Sequence, residues 1–132
     1  MQTQTAYQEL NVESWKSWFP KRGEIYYCDL EGAIDNEQRG VRPVVILSNN
    51  KGNLYGNILV VAAITTKKKH LPQIHVPINL KTDSYILTEH IRTVSKSRFF
   101  INNNYPVKIT ILLEKKMIEV ENAIKFELGF IT

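Results

Sequence analysis

Scarcity is the first clue in this chain of 132 residues. There is a single cysteine, Cys28, so no disulfide can close within the chain, and a cytoplasmic setting is the simplest expectation. Long hydrophobic stretches are also missing. The longest apolar run, Ile58 to Ile64, falls far short of the ~20 residues that a membrane span requires. Met1 to Glu9 lacks a cationic start backed by an apolar stretch and does not read as a secretory signal. No glycine-rich phosphate loop leads into Lys and Ser/Thr, and no Gly-x-Ser-x-Gly elbow occurs. His70, His75 and His90 are not at an i,i+4 helical spacing. With one cysteine and no carboxylate cluster beside them they do not make a metal site, so the expectation is chemistry without a metal or other cofactor.

What is present is ordinary globular material. Apolar residues make up 43% and charged residues 23%, enough to build one core in a chain of single-domain length. Seventeen Lys and Arg against thirteen Asp and Glu leave a formal net charge of +4. That excess permits a polyanionic partner such as RNA or DNA, or an acidic peptide, without demanding one.

Residues 1–20 differ in pattern from the rest. Thr5 and Gln8 fit a capping box, and Leu10, Val12, Trp15, Trp18 and Phe19 follow at helical steps until Pro20. The spacing predicts a short amphipathic N-terminal helix bearing both tryptophans, either packed on its own domain or serving as a docking arm. The main domain is then expected over 21–132. From Gly23 the pattern becomes that of strands: Gly23–Leu30, the continuous apolar runs Arg42–Ser48 and Ile58–Ile64, then Gln73–Ile78, Tyr85–Thr88 and His90–Val94. Ser95–Arg98 is expected to lead into a further edge segment. Residues 31–41 and 49–57 read as a long polar loop and a turn-rich connection. Leu113, Met117, Val120, Ile124 and Leu128 return to helical spacing, with Gly129 placed as a stop. Between residues 23 and 98 no helix is long enough for a parallel crossover. The expected fold is therefore mainly β, a small curled antiparallel barrel closed by a C-terminal helix.

Polar residues gather at the ends of the buried strands. Arg42 begins the first apolar run, and the following Pro43 holds it extended. Such a side chain must place its head in water or on an anion. Thr65 and Thr66 end the second run, followed by Lys67, Lys68 and Lys69. A lysine run in a loop is either solvated or in contact with a nucleic-acid backbone.

In four blocks the chain resembles the MazF/PemK toxin family. They are Arg22-Gly23-Glu24-Ile25-Tyr26 with Glu37-Gln38-Arg39-Gly40-Val41-Arg42-Pro43; Ala62-Ala63-Ile64-Thr65; Ser84-Tyr85-Ile86-Leu87 running into Glu89-His90-Ile91-Arg92-Thr93; and the closing helix with Met117, Asn122-Ala123 and Leu128-Gly129. The resemblance implies an SH3-like barrel of the CcdB/MazF type that forms a homodimer. It also implies the toxin of a type II toxin–antitoxin pair: a sequence-selective endoribonuclease cutting single-stranded RNA without metal, leaving 2′,3′-cyclic phosphate and 5′-hydroxyl ends. By the same resemblance Arg42 and Thr65 are the catalytic pair and the loop around Glu37 and Gln38 lies over the RNA groove; Asn36, Glu37, Gln38, Arg39, Thr66, Lys67, Lys68, His90 and Arg92 are the expected substrate contacts. The partners implied are the RNA, a cognate antitoxin with an acidic flexible segment, and a second copy of the chain.

The chemistry suits those residues. The 2′-hydroxyl is an internal nucleophile, so the protein has only to assist proton transfer and stabilise the charge that grows on the phosphorane. A guanidinium offers several fixed donors to phosphate oxygens and holds its own proton firmly, which favours charge stabilisation over proton transfer at Arg42. Relatives often carry Gln where this chain has His90. That histidine is either a proton carrier beside the groove or a polar support for the sheet. Two rival readings share the fold: a toxin that binds a protein target, as gyrase poisons do, and a catalytically silent RNA-binding barrel.

Overall fold

A computed structural model describes residues 18–30, 40–69, 71–103 and 105–132. Its framework is one curled antiparallel sheet of six strands in the order β4-β5-β3-β2-β1-β8. The strands are β1 (Glu24–Asp29), β2 (Val41–Ile46), β3 (Ile58–Thr65), β4 (His75–Asn79), β5 (Asp83–Ser95) and β8 (Lys108–Ile111). A small separate hairpin, β6 (Ile101–Asn102) with β7 (Tyr105–Pro106), precedes β8. A short helix α1 (Asn50–Tyr55) joins β2 to β3, and α2 (Glu114–Glu127) closes the chain. No helix among the described residues is long and apolar enough to cross a membrane.

The continuous apolar runs exist because the central strands bury both faces. Tyr26, Cys28, Val44, Ile46, Val61 and Ala63 point into one core inside the curl, with Leu59, Phe99 and Trp18. Their neighbours Ile25, Val45, Ala62 and Ile64 point the other way, into a second core under Met117, Val120 and Ala123 of α2. Side chains alternate along a strand, so a sheet covered on both faces needs apolar residues at every position. Helix α2 ends as its sequence predicts. Gly129 sits at φ +80, its N–H bonds Phe126 O at 3.1 Å, and Phe130 N–H bonds Lys125 O at 2.8 Å. This is the paired-bond stop that a left-handed glycine permits.

Several elements differ from the sequence expectation. The turn-rich connection 49–57 contains α1, started by Asn49, whose side chain accepts from Gly52 N–H at 2.8 Å. The two strands expected at 85–88 and 90–94 are one thirteen-residue strand, β5. Ser95–Arg98 does lead into a further edge segment, β6, but by way of a 3-10 turn over Lys96–Arg98 that Ser95 caps. Trp18 is not helical; it lies on irregular chain and is buried. The remainder of the expected N-terminal helix, residues 5–17, lies outside the described residues.

Trp18 plugs one end of the inner core. Its ring meets Phe99 edge-on at 5.0 Å and Tyr26 at 5.2 Å between centroids. Its Nε1–H donates to Tyr26 Oη at 3.5 Å, and that hydroxyl donates to the buried Glu24 Oε1 at 2.8 Å. Lys96, only 1% exposed, donates from Nζ to Asn53 O at 2.8 Å and to Trp18 O at 3.4 Å. Burial lowers its pKa from the ordinary lysine value, and the two carbonyls replace part of the water it has lost. Trp18→Ala should cost about 3–5 kcal/mol of stability, read as a lower urea midpoint, and Trp18→Phe should recover most of it. An unmoved midpoint in Trp18→Ala would contradict this packing role.

Candidate active site

Two of the polar residues singled out by sequence, Arg42 and Thr65, lie near the ends of β2 and β3 remote from Trp18. Strands β2 and β3 pair with Val44 opposite Ala63 and Val45 opposite Ala62. The paired stretch ends there, and Arg42 and Thr65 lie two residues further along β2 and β3. Both lie on the side of the sheet shared by Val44 and Ala63, since alternate residues share a face. Arg42 is exposed and pairs across β1 with Cys28. Thr65 is 6% exposed. Its Oγ1 accepts from Lys67 N–H at 3.2 Å, a turn that leaves the hydroxyl proton available to donate. Thr66, Lys67 and Lys68 follow it, all exposed.

Beside this pair is a cleft of about 350 Å³ between Leu30 at the end of β1, Ala63 on β3, and Glu89 to Thr93 on β5. A bulge in β5 shapes it. One step along β3, from Ala62 to Ala63, spans four on β5, from Ile91 to Leu87, so Thr88, Glu89 and His90 are extra to the ladder. Bulges of this kind re-aim side chains and occur beside active sites. Thr88 holds the bulge by bonding Ile74 O with its N–H at 3.2 Å and with Oγ1 at 2.7 Å. His90 and Arg92 both line the cleft, and Arg92 Nη1 donates to Leu30 O at 3.4 Å. Arg42 and Thr65 sit beyond its wall rather than within it. Asn36, Glu37, Gln38 and Arg39 lie outside the described residues. Their loop departs at Leu30 and returns at Gly40, the two joined by a 2.8 Å bond from Leu30 N–H to Gly40 O, so its base adjoins both the cleft and Arg42.

Sequence reasoning missed the pairing of His75 with Glu89. His75 is 6% exposed, and its Nε2 lies 2.6 Å from Glu89 Oε2. Its Nδ1 accepts from Leu71 N–H at 3.3 Å. An accepting Nδ1 carries no proton, which places the proton on Nε2 and makes it the donor to Glu89. Fourteen residues separate the two, and only the β4–β5 pairing together with the bulge brings them into contact. Cys28 is fully buried behind Arg42. Burial pushes its thiol up to about 12; the Asp29 carboxylate adds to the rise, and Arg92 and Arg98 oppose it. It is therefore an inert core side chain rather than a nucleophile.

A sequence profile of the family described as PemK-like, MazF-like toxin of type II toxin–antitoxin system matches residues 21–128. The chain belongs to this toxin family. It is 45% identical over 116 residues to Endoribonuclease MazF of Staphylococcus epidermidis, covering 83% of this chain and 91% of the relative. It is 44% identical over 119 residues to Endoribonuclease MazF of Staphylococcus saprophyticus, covering 85% and 93%. Among solved structures, MazF of Deinococcus radiodurans matches with a TM-score of 0.68 at 20% identity, over 85% of this chain and 98% of that one. A mycobacterial endoribonuclease in complex with its cognate antitoxin matches with a TM-score of 0.66 at 23% identity, over 86% and 98%. The curled sheet and closing helix are thus the toxin family's fold.

The His75–Glu89 contact is testable apart from any activity. His75→Ala should cost about 1–3 kcal/mol, because it strands Leu71 N–H and opens the buried site. Glu89→Gln keeps an acceptor for Nε2–H and should cost much less. Urea midpoints measure both, and equal losses in the two variants would contradict the assigned proton position.

Proposed function

We propose that the chain is the toxin of a type II toxin–antitoxin pair and acts as an endoribonuclease on single-stranded RNA. The observation that carries this reading is the match of residues 21–128 to the toxin family, with Arg42 and Thr65 near the ends of adjacent strands beside a cleft lined by Arg92. The 45% identity to Endoribonuclease MazF of Staphylococcus epidermidis supports the same reaction. In that reaction the 2′-oxygen attacks the adjacent phosphorus, the bond from phosphorus to the 5′-oxygen breaks, the 2′-proton leaves to a base, and the departing oxygen gains a proton. Arg42 stabilises the negative charge on the phosphorane oxygens, and Thr65 donates its hydroxyl proton to one of them. Arg92, His90, Thr66, Lys67, Lys68 and the loop residues Asn36, Glu37, Gln38 and Arg39 hold the RNA. The lysines supply affinity through phosphates, and the loop contributes base selection. The donor set serves this chemistry without a metal ion.

The same basic surface suits a cognate antitoxin that presents an acidic, flexible segment, and the pair is proposed to act in the cytoplasm. A second copy of the chain completes the groove. Helix α2 covers one end of the outer sheet face, whereas Tyr27 and Val41 at the other end are each 39% exposed. Light scattering should give twice the 15.3 kDa chain mass, and a mass of one chain would refute the dimer.

Once the cut site is mapped, single-turnover cleavage of an RNA oligonucleotide in EDTA tests the catalytic roles. Thr65→Ala should lose about 100–1,000-fold in rate, the usual cost of removing one donor to a transition-state oxyanion. Arg42→Ala should lose at least as much while retaining measurable RNA binding. Full activity in either variant would refute its assignment.

A further inference from the structure

Among the described residues, one carboxylate lines the cleft. Glu89 stands in the same wall as His90 and Arg92, with its side chain 29% exposed. An ionised carboxylate accepts hydrogen bonds and donates none, and it repels phosphate, so its presence in an RNA cleft calls for a separate explanation. Its Oε2 is occupied by Nε2–H of His75 at 2.6 Å, and no described residue bonds Oε1. His75 does not line the cleft. It is buried and reaches Glu89 from behind the wall, because the bulge takes Glu89 out of the ladder with β3. Leu71 N–H holds the other ring nitrogen at 3.3 Å. A ring bonded at both nitrogens cannot turn without losing a bond, so Oε2 has one place and Oε1 keeps little freedom.

Resting on the endoribonuclease reading, we propose that Glu89 reads one base of the substrate RNA by accepting from a base N–H, and that His75 is the positioning residue that aims it. The reacting phosphate is assigned to Arg42 and Thr65, which do not line the cleft. Ala63 does, and it lies two residues before Thr65 on the same face of β3. The cleft therefore adjoins that pair and takes a nucleotide beside the cut. Its volume of about 350 Å³ is at the small end of the ~300–1,000 Å³ of ligand pockets, room for one base. Arg92 in the same wall suits a phosphate, and Glu89 suits the N–H edge of a base, which single-stranded RNA leaves exposed. A sugar hydroxyl could also donate to Oε1, but every nucleotide carries one, so that contact would be blind to sequence. An acidic antitoxin segment gains nothing from a carboxylate, which repels it.

The test compares kcat/KM of the full-length wild-type protein and its variants on RNAs carrying the mapped cut site, with each flanking position changed to all four bases. Glu89→Gln accepts from His75 through its amide oxygen and turns an NH2 toward the cleft, so an acceptor there becomes a donor. At one flanking position the wild-type protein should favour its preferred base about tenfold, and Glu89→Gln should lose or reverse that preference while preferences elsewhere stay. His75→Ala leaves Glu89 unheld and should reduce the same preference about threefold. His75→Gln, whose amide can donate to Oε2, should restore most of it. A loss by one common factor on every RNA in Glu89→Gln would overturn the proposal and give the carboxylate to a sugar hydroxyl or to the framework. Unchanged preferences in Glu89→Gln would overturn it as well, and unchanged preferences in His75→Ala would refute the positioning role. If the wild-type protein cleaves no RNA, the endoribonuclease reading itself fails, an outcome distinct from these.

Discussion

The two bonds from Thr88 to the carbonyl of Ile74 fix the feature on which the cleft depends. They tie the start of β4 to the point where β5 departs from its ladder with β3. Without that departure β5 would run in simple register past β3, and Glu89 and His90 would take ordinary alternating positions in the sheet. With it, Glu89 comes within reach of His75, His90 joins the cleft wall, and Arg92 re-enters the ladder opposite Val61, on the inner side of the curl. A local irregularity that costs ladder hydrogen bonds has thus become the wall of the site.

The sheet divides its labour between its two ends. At one end Trp18, Tyr26 and Phe99 pack edge to face, and Lys96 ties the chain before β1 to α1 through backbone carbonyls. Those contacts are dry and specific, so they serve rigidity. At the other end lie Arg42, Thr65 and Leu30, with Arg42, Thr66, Lys67 and Lys68 exposed and Thr65 nearly buried. Under the proposed function, donors on strand ends would combine the precision of the sheet with access for an RNA phosphate. Cys28 lies between the two ends, fully buried in the inner core.

The central strands were legible in the sequence because sheets buried on both faces leave continuous apolar runs, as in Ile58–Ile64. The closing helix was legible from its spacing and from Gly129. Helix α1 was not. Its six residues include Gly52 and two asparagines and read as turns, and only the Asn49 cap and the pairing of Asn53 with Ser48 make it a helix. The unity of β5 was hidden by Glu89 and His90, polar residues that break an apolar pattern because they belong to the bulge. Trp18 fitted a helical stripe, yet the core opening beside Phe99 claimed it. Arg42 and Thr65 were singled out through their place in family motifs, and both fall near the ends of the adjacent strands β2 and β3. His75 and Glu89 left no local signal, because a tertiary contact alone defines them.

The central claim is that a basic strand-end site directs an RNA's own 2′-hydroxyl against its phosphodiester. The most direct test is the chemistry of the ends produced when purified protein, free of antitoxin, meets a mixed-sequence RNA in EDTA. Mass spectrometry of the fragments should find 2′,3′-cyclic phosphates and 5′-hydroxyls at discrete sites. Fragments bearing 5′-phosphates and 3′-hydroxyls, or RNA left whole by a folded protein, would contradict it.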